Sequence, residues 1–500
     1  MANPELIRNI RAQLRADRMV AAAAICFALS VVAAFAEYRQ YGPSVEQWGR
    51  QMLGLTFWAQ GLVLLLGGGF AALAAISREK ELNTFDFQRA TLLTPWQLTA
   101  GKLLGAPAFM YFIALCLVPV AAAGAVAGAA GLSFVLAGYA VLLLGVITVH
   151  ALALLASLLV ERGAAGTSAI LILFGLWLGP AMLAATGFAL NLNTLSPFIG
   201  RTIMEQRSWE LAPPPTYRTD VFLRPSLTDV FFGWPVRHAI VLVVLYVVFT
   251  GWFVLAVARN IKRDPALYEI FTPLQALGMA VWINLIVLGF FRWAQFAPLS
   301  AENTFLGLNA PLFFVLGLGM LRNRDRTRRS RAAAVRVRRW VAALWPAPYV
   351  LGGLLLAGLV PVAILYATRP DAEWDLGLAL FRVAMVAAWI TRDLLFLQWM
   401  NVQPGSRPIR RGMLYLIVYY VCAGVVLTTL HAWTFGDPVG RATAGFFVPA
   451  TVLSLSVASW KTGWTLWLAA LALEIAVGAV LVALHAGTVA ELEEGVAETS

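Results

Sequence analysis

The chain has 500 residues, of which 60% are hydrophobic and 13% charged, and it carries a formal net charge of +11. Soluble domains carry about 45–50% apolar and about 25% charged residues, so a water-soluble globule is excluded for want of polar surface. The excess of base is dispersed among short loops, which points to membrane topology and away from a nucleic-acid partner.

The apolar residues fall in uncharged runs of about 20, the length at which a helix crosses about 30 Å of hydrocarbon. They do not alternate with polar residues as barrel strands do. In chain order the runs predict spans over 19–36, 52–76, 103–128, 132–160, 168–190, 237–258, 273–291, 307–321, 349–367, 376–400, 413–431, 444–460 and 463–486. The expected fold class is an all-α integral membrane protein, a polytopic helical bundle with about 12–13 transmembrane helices. The run at 376–400 is the least apolar, because it contains Arg382, Arg392 and Asp393.

Ahead of the first span, Leu6, Ile7, Ile10 and Leu14 recur at helical spacing with Arg8, Arg11, Arg15 and Arg18 between them. This reads as an amphipathic helix on the inner leaflet or as an ordinary positive flank of the first span. Ala34-Phe35-Ala36 resembles a signal-peptidase site. The apolar run before it is long for a signal peptide, so an uncleaved first span is expected. With the N-terminus inside, 25 of the 37 Lys and Arg fall on inside segments and 9 on outside ones. Translocated short loops shed basic residues, so a cytoplasmic N-terminus is expected.

The loop between the second and third runs, residues 77–102, carries the most information. Thr84 is placed to cap a short helix whose Phe85, together with Leu92 and Leu93, needs an apolar surface. Thr94, Pro95 and Gln97 form a helix-start signal: Thr94 as N-cap, Pro95 at the first helical position, Gln97 reaching back as a capping box. That second helix is expected to run directly into the third span. The loop is therefore a folded element joined to two spans.

The succession Glu79, Lys80, Glu81, Thr84, Phe85, Asp86, then Thr94, Pro95, Gly101 and Lys102 resembles the coupling loop of type-2 ABC transporter permeases. Where that family usually has Gly this chain has Asn83, the residue that best replaces Gly at positive φ. The resemblance covers roughly residues 1–265. It implies a six-span permease domain over 1–272, belonging to an exporter in a bacterial plasma (inner) membrane. It also implies that Glu79, Glu81, Thr84, Phe85, Asp86, Thr94 and Pro95 dock a separate ATP-binding cassette subunit. By the same resemblance this chain is not an enzyme and binds no cofactor of its own, ATP and Mg being held by the partner. A second permease copy or homologue is implied too, since such cassettes work in pairs. Membrane lipids are the remaining partner, and no nucleic acid is expected.

Gly101-Lys102 lacks the upstream glycine and the following hydroxyl of a phosphate-binding loop, so no motor motif lies in this chain. Residues 273–500 form a further helical region without a second coupling loop. Its basic stretch 322–331 reads as a topology determinant that touches anionic lipid. The segment Trp389–Asp393 reads as ordered and interfacial. Glu474 sits mid-span, where a carboxylate is costly; it marks either an intramembrane pathway or an arginine-paired structural group. Cys26, Cys116 and Cys422 lie within apolar runs and suggest neither disulfides nor metal. His150, His238, His431 and His485 are scattered and read as packed or interfacial. The alternative function is a membrane-embedded enzyme, such as a lipid or sugar transferase, which would need polar residues converging on one face.

Overall fold

The computed structural model describes residues 3–41, 44–159, 228–232, 234–264, 267–290, 298–324, 327, 344–368, 375–404, 408–433, 455 and 457–497. The span expected at 168–190 and most of the one at 444–460 lie outside these residues. The chain divides into two compact units. The first is Met1–Pro265 with Gly289–Phe291, and the second is Ala266–Leu288 with Arg292–Ser500.

In the first unit the helices are α1 (Pro4–Gln13), α2 (Ala16–Tyr41), α3 (Val45–Leu62), α4 (Gly69–Glu81), α5 (Phe85–Ala90), α6 (Pro95–Gly105), α7 (Ala108–Ala127), α8 (Leu132–Leu159) and α9 (His238–Asn260). A π-helical turn, Val63–Gly68, joins α3 to α4 without a break, so Val45–Glu81 is one continuous apolar rod. The expected all-α class holds, with one addition: β1 (Thr228–Phe231) and β2 (Trp234–Arg237) pair antiparallel as a hairpin ahead of α9. Among the described residues, seven helices are long and apolar enough to cross a membrane. The protein is a polytopic helical membrane protein.

Within lipid, helices gain little by hiding apolar surface from one another, so close packing has to hold them together. Glycine supplies it where α3 meets α7. Gly124 and Gly128 stand four apart on α7, and a Cβ on Gly49 of α3 would lie 2.2 Å from the Gly128 amide nitrogen. The backbones touch there, and Leu53, Phe57, Leu142 and Val146 fill the core beside the contact.

In the second unit the helices are α10 (Pro273–Phe290), α11 (Pro298–Met320), α12 (Ala347–Thr368), α13 (Leu376–Val402), α14 (Pro408–Trp433) and α15 (Val457–Ala497). Asn284 of α10 and Asn309 of α11 exchange amide hydrogen bonds of 2.7 and 2.8 Å, both side chains being buried. Helix α13 is the centre of this unit and packs against α11, α12, α14 and α15. That position explains its composition: a helix enclosed by protein can keep Arg382, Arg392 and Asp393, all of them buried, whereas a lipid-facing helix could not. Trp389–Asp393, expected at an interface, is therefore mid-helix and in the core. Between the runs read at 444–460 and 463–486 the chain makes only a local break inside α15, at Gly463.

Candidate functional site

The loop 77–102 is folded throughout. Helix α4 ends at Glu81, and Asn83 turns the chain with φ 57°, the left-handed conformation that Asn adopts more readily than most residues. Thr84 occupies the N-cap position of α5, but its side chain makes no capping bond. Its hydroxyl donates instead to the Glu79 carbonyl at 3.3 Å, so the turn is closed backwards onto α4. Phe85 is buried and pins α5 beneath the loop. The expected capping box is present: Thr94 Oγ1 accepts from the Gln97 amide at 3.2 Å, and Gln97 Oε1 accepts from the Thr94 amide at 2.9 Å. Helix α6 does not run directly into the third span. It stops at Gly105, and α7 restarts at Ala108 after Pro107, because a proline ring has no N–H to continue the ladder.

Helix α1 does not lie free on a leaflet. It docks on α6, and the contact is polar. Lys102, only 1% exposed, places Nζ 2.5 Å from Glu79 Oε2 and 3.4 Å from Glu5 Oε1. Arg8 bridges the same two carboxylates at 2.7 and 3.2 Å. Asn9 donates to the Gly101 carbonyl at 3.3 Å, and Asn3 to the Gln97 carbonyl at 2.7 Å. Gly101 makes the approach possible, since a Cβ there would lie 2.6 Å from Glu5 Cγ. Arg11, Arg15 and Arg18 stay exposed.

The seven residues expected to dock a partner thus separate. Glu79 and Phe85 hold the loop together from inside. Thr94 is exposed and engaged in the capping box, and Pro95 begins α6 beside it. Thr84 is exposed beside Glu81 and Asp86, and Asp86 pairs with Arg89 at 2.9 Å. Leu82, Phe87, Leu92 and Trp96 are all exposed along the loop, Leu92 fully; of these four apolar side chains, sequence reasoning named only Leu92. Lys262 donates to the Thr91 carbonyl at 2.6 Å and steadies this surface from the end of α9.

Two further polar groups lie inside the helices. In the first unit His150 is fully buried, with Nε2 2.8 Å from the Leu64 carbonyl and Nδ1 2.8 Å from the Tyr111 hydroxyl. Leu64 belongs to the π-helical turn, whose altered ladder leaves carbonyls in need of donors. Gly68 makes room for the ring, since a Cβ there would lie 2.3 Å from Nε2.

In the second unit Glu474 has a partner. Arg392 Nη1 lies 2.8 Å from each Glu474 oxygen. Arg392 also bonds Asp393 Oδ1 through Nε at 3.0 Å and Nη2 at 2.7 Å, and the Tyr420 hydroxyl through Nη2 at 2.8 Å. The Tyr420 hydroxyl and Trp389 Nε1 both donate to Asp393 Oδ2. Higher on α13, Arg382 pairs with Glu302 of α11 at 3.3 Å and reaches the Leu455 carbonyl. Among the described residues no group of three or more His, Cys, Asp or Glu side chains is placed to hold a metal ion.

Comparison with models of known protein families, with curated proteins and with solved structures finds no match to this chain.

Proposed function

We propose that residues 1–272 are the permease module of an ATP-driven exporter, with loop 77–102 the surface on which a separate ATP-binding subunit docks. The observation that carries this reading is that the loop is a folded, doubly anchored element with exposed apolar side chains. Its interior is fixed by Phe85, the capping box and the Glu5–Lys102–Glu79 cluster. Its outside shows Leu82, Phe87, Leu92 and Trp96 interleaved with Glu81 and Asp86. Apolar anchors within a charged rim are the make-up of a protein interface. A pull on such an element passes to α4, the end of a continuous spanning rod, and through α6 towards α7. The docking set is thereby refined: Glu81, Asp86, Phe87, Leu92 and Trp96 meet the partner, and Glu79, Phe85 and Thr94 shape the surface they stand on.

The proposal places the N-terminus and the loop in the cytoplasm of a bacterial cell, the chain in its inner membrane, and ATP and Mg on the docked subunit. A second permease copy or homologue completes the transporter. The test is co-purification from the native host of an ATPase with the full chain, and with Phe87→Ser combined with Leu92→Ser. Both side chains are exposed, so the paired variant keeps the fold while losing the ATPase. If no nucleotide-binding protein accompanies the native chain, the exporter reading fails and the membrane-enzyme alternative takes its place.

A further inference from the structure

The cluster at the centre of the second unit does not balance its charges. Arg392 brings one positive charge, and Asp393 and Glu474 bring two negative ones. Among the described residues, the elements packed around α13 bring no further cation to the cluster. Helix α14 contributes Tyr419 and Tyr420, which are neutral phenols, Arg392 lying over the Tyr419 ring at 5.7 Å; its Arg410 and Arg411 are exposed, 10 and 9 positions before Tyr420. Helix α12 has no charged side chain. Helix α11 contributes Glu302, which is spent on Arg382. Helix α15 contributes Glu474 itself. Its Lys461 is exposed and 13 positions away along the chain, and its His485 lies 11 positions further on.

The imbalance sits deep. Glu474 lies 11 residues beyond the break at Gly463 and 17 before the end of the apolar stretch Val457–Glu491, roughly 16 and 25 Å along the helix. An uncompensated charge at such a depth is among the costliest arrangements a protein can hold.

The hydrogen bonds identify the group that must absorb the difference. All five guanidinium N–H groups of Arg392 are used: one from Nε and one from Nη2 on Asp393, one from Nη2 on Tyr420, and two from Nη1 on Glu474. Asp393 accepts from Arg392 twice, from Tyr420 and from Trp389, a full set for an ionised carboxylate. Among the described residues Glu474 accepts only from Nη1, which fills half of its acceptor positions. Both carboxylates already face hydrogen-bond donors, and the cluster lacks the several converging oxygens that a metal cation needs. A proton is the charge that fits.

We propose that Glu474 is an intramembrane proton-binding site. The Arg392–Asp393–Glu474 cluster of the second unit is electrically complete only when Glu474 carries one proton. The step is a plain acid–base exchange. A proton joins one Glu474 oxygen, the carboxylate becomes a carboxylic acid, and the cluster falls from a net charge of −1 to zero. The arginine is left paired to Asp393. Release of the proton returns it to water and puts two carboxylates in competition for one guanidinium. That favours an arrangement in which α15 shifts against α13 or water enters between them. The Arg382–Glu302 pair, which joins α13 to α11, is the internal contrast in charge: one of each sign. This inference is independent of the exporter reading and concerns the second unit alone.

The test is infrared titration of the full chain in lipid nanodiscs, following the carbonyl stretch of protonated carboxylic acids from acid to alkaline pH. The native protein is expected to show a protonated carboxylic acid at neutral pH that is lost as the pH rises. Glu474→Gln, which keeps the shape and an acceptor for Arg392, is expected to lose the neutral-pH band, while acid pH still protonates the other carboxyls. Asp393→Asn leaves one carboxylate to one guanidinium, so it too should lose the neutral-pH band while Glu474 is still present. A merely structural ion pair would leave the band absent in the native protein and in both variants. Absence of a protonated acid at neutral pH in the native chain, or a band unchanged in Glu474→Gln, overturns the proposal. Should Glu474→Gln fail to fold, the native titration and Asp393→Asn decide.

Discussion

Glu79 and Lys102, 23 residues apart, meet at 2.5 Å between the end of a spanning rod and the short helix that begins the return path. Glu5 closes the group from the N-terminal helix at 3.4 Å. Three segments that a sequence reader would treat separately are thus one buried ionic junction, and the loop inherits its stiffness from it.

Replacing Lys102 with Met keeps the aliphatic stem and removes the cation from between two carboxylates. Leaving part of a buried ionic group unpaired is destabilising. Arg8 still reaches both acids, so the expected loss is about 1–3 kcal/mol. Denaturant or thermal unfolding in detergent measures it. A Lys102→Met variant as stable as the native chain would mean that the junction is not formed.

Gly101→Ala is a finer test of the same contact. Its new Cβ would lie 2.6 Å from Glu5 Cγ and 3.0 Å from the Leu6 amide nitrogen. Helix α1 is expected to lift from α6 while the spans remain intact. Amide exchange over residues 3–14 should then quicken by about tenfold or more, equivalent to roughly 1.4 kcal/mol of lost local protection. Unchanged exchange there would show that α1 is held by something else.

The orientation has a direct readout. Glu81 and Trp234 are both exposed, so single cysteines at these positions leave the packing undisturbed. With the native cysteines removed, Glu81→Cys should react only with reagent that has entered the cytoplasm, and Trp234→Cys with impermeant reagent added outside. Labelling of Glu81→Cys from outside inverts the topology and removes the docking proposal with it.

Arg382→Met strands Glu302, which is 1% exposed. Breaking a buried pair from one side costs about 3–5 kcal/mol. Combining it with Glu302→Leu removes both charges and should recover most of the loss. Unfolding of the two single variants and the double variant closes the cycle. Additive losses would show that the two groups do not interact.

The helical class, and the places where most described helices begin and end, were legible because each apolar run is a local property of the chain. So was the Thr94 capping box, whose partners lie three residues apart, and so was the positive φ of Asn83. Apart from Thr84 and the break at Pro107, which are local, the misread features depend on contacts made far along the chain. Thr84 looks like a cap until its hydroxyl is seen on the Glu79 carbonyl. Glu79 looks like a free surface acid until Glu5 and Lys102 fold over it. Trp389–Asp393 looks interfacial because charge within a span suggests an edge, whereas four neighbouring helices enclose it. Glu474 stood out as an isolated charge, but its partner lies 82 residues earlier, and no spacing rule connects them. The π-helical turn beside His150 left no local mark beyond Gly67 and Gly68.

The order in which the two arginines of α13 meet their partners has a consequence for how this protein is made. When Arg382 emerges from the ribosome, its partner Glu302 was synthesised 80 residues before and can already be waiting in the bilayer. Arg392 is in the opposite position, for Glu474 follows it by 82 residues. At about 5–20 residues per second that is roughly 4–16 s of translation. During that interval the guanidinium has only its neighbour Asp393 and, once 28 further residues are made, the Tyr420 hydroxyl for company. Helix α13 is therefore ill suited to leave the translocon alone, and its release into lipid is tied to the arrival of the last long helix. Nascent chains stalled short of α15 should remain lodged at the insertion machinery, where quality-control proteases find them.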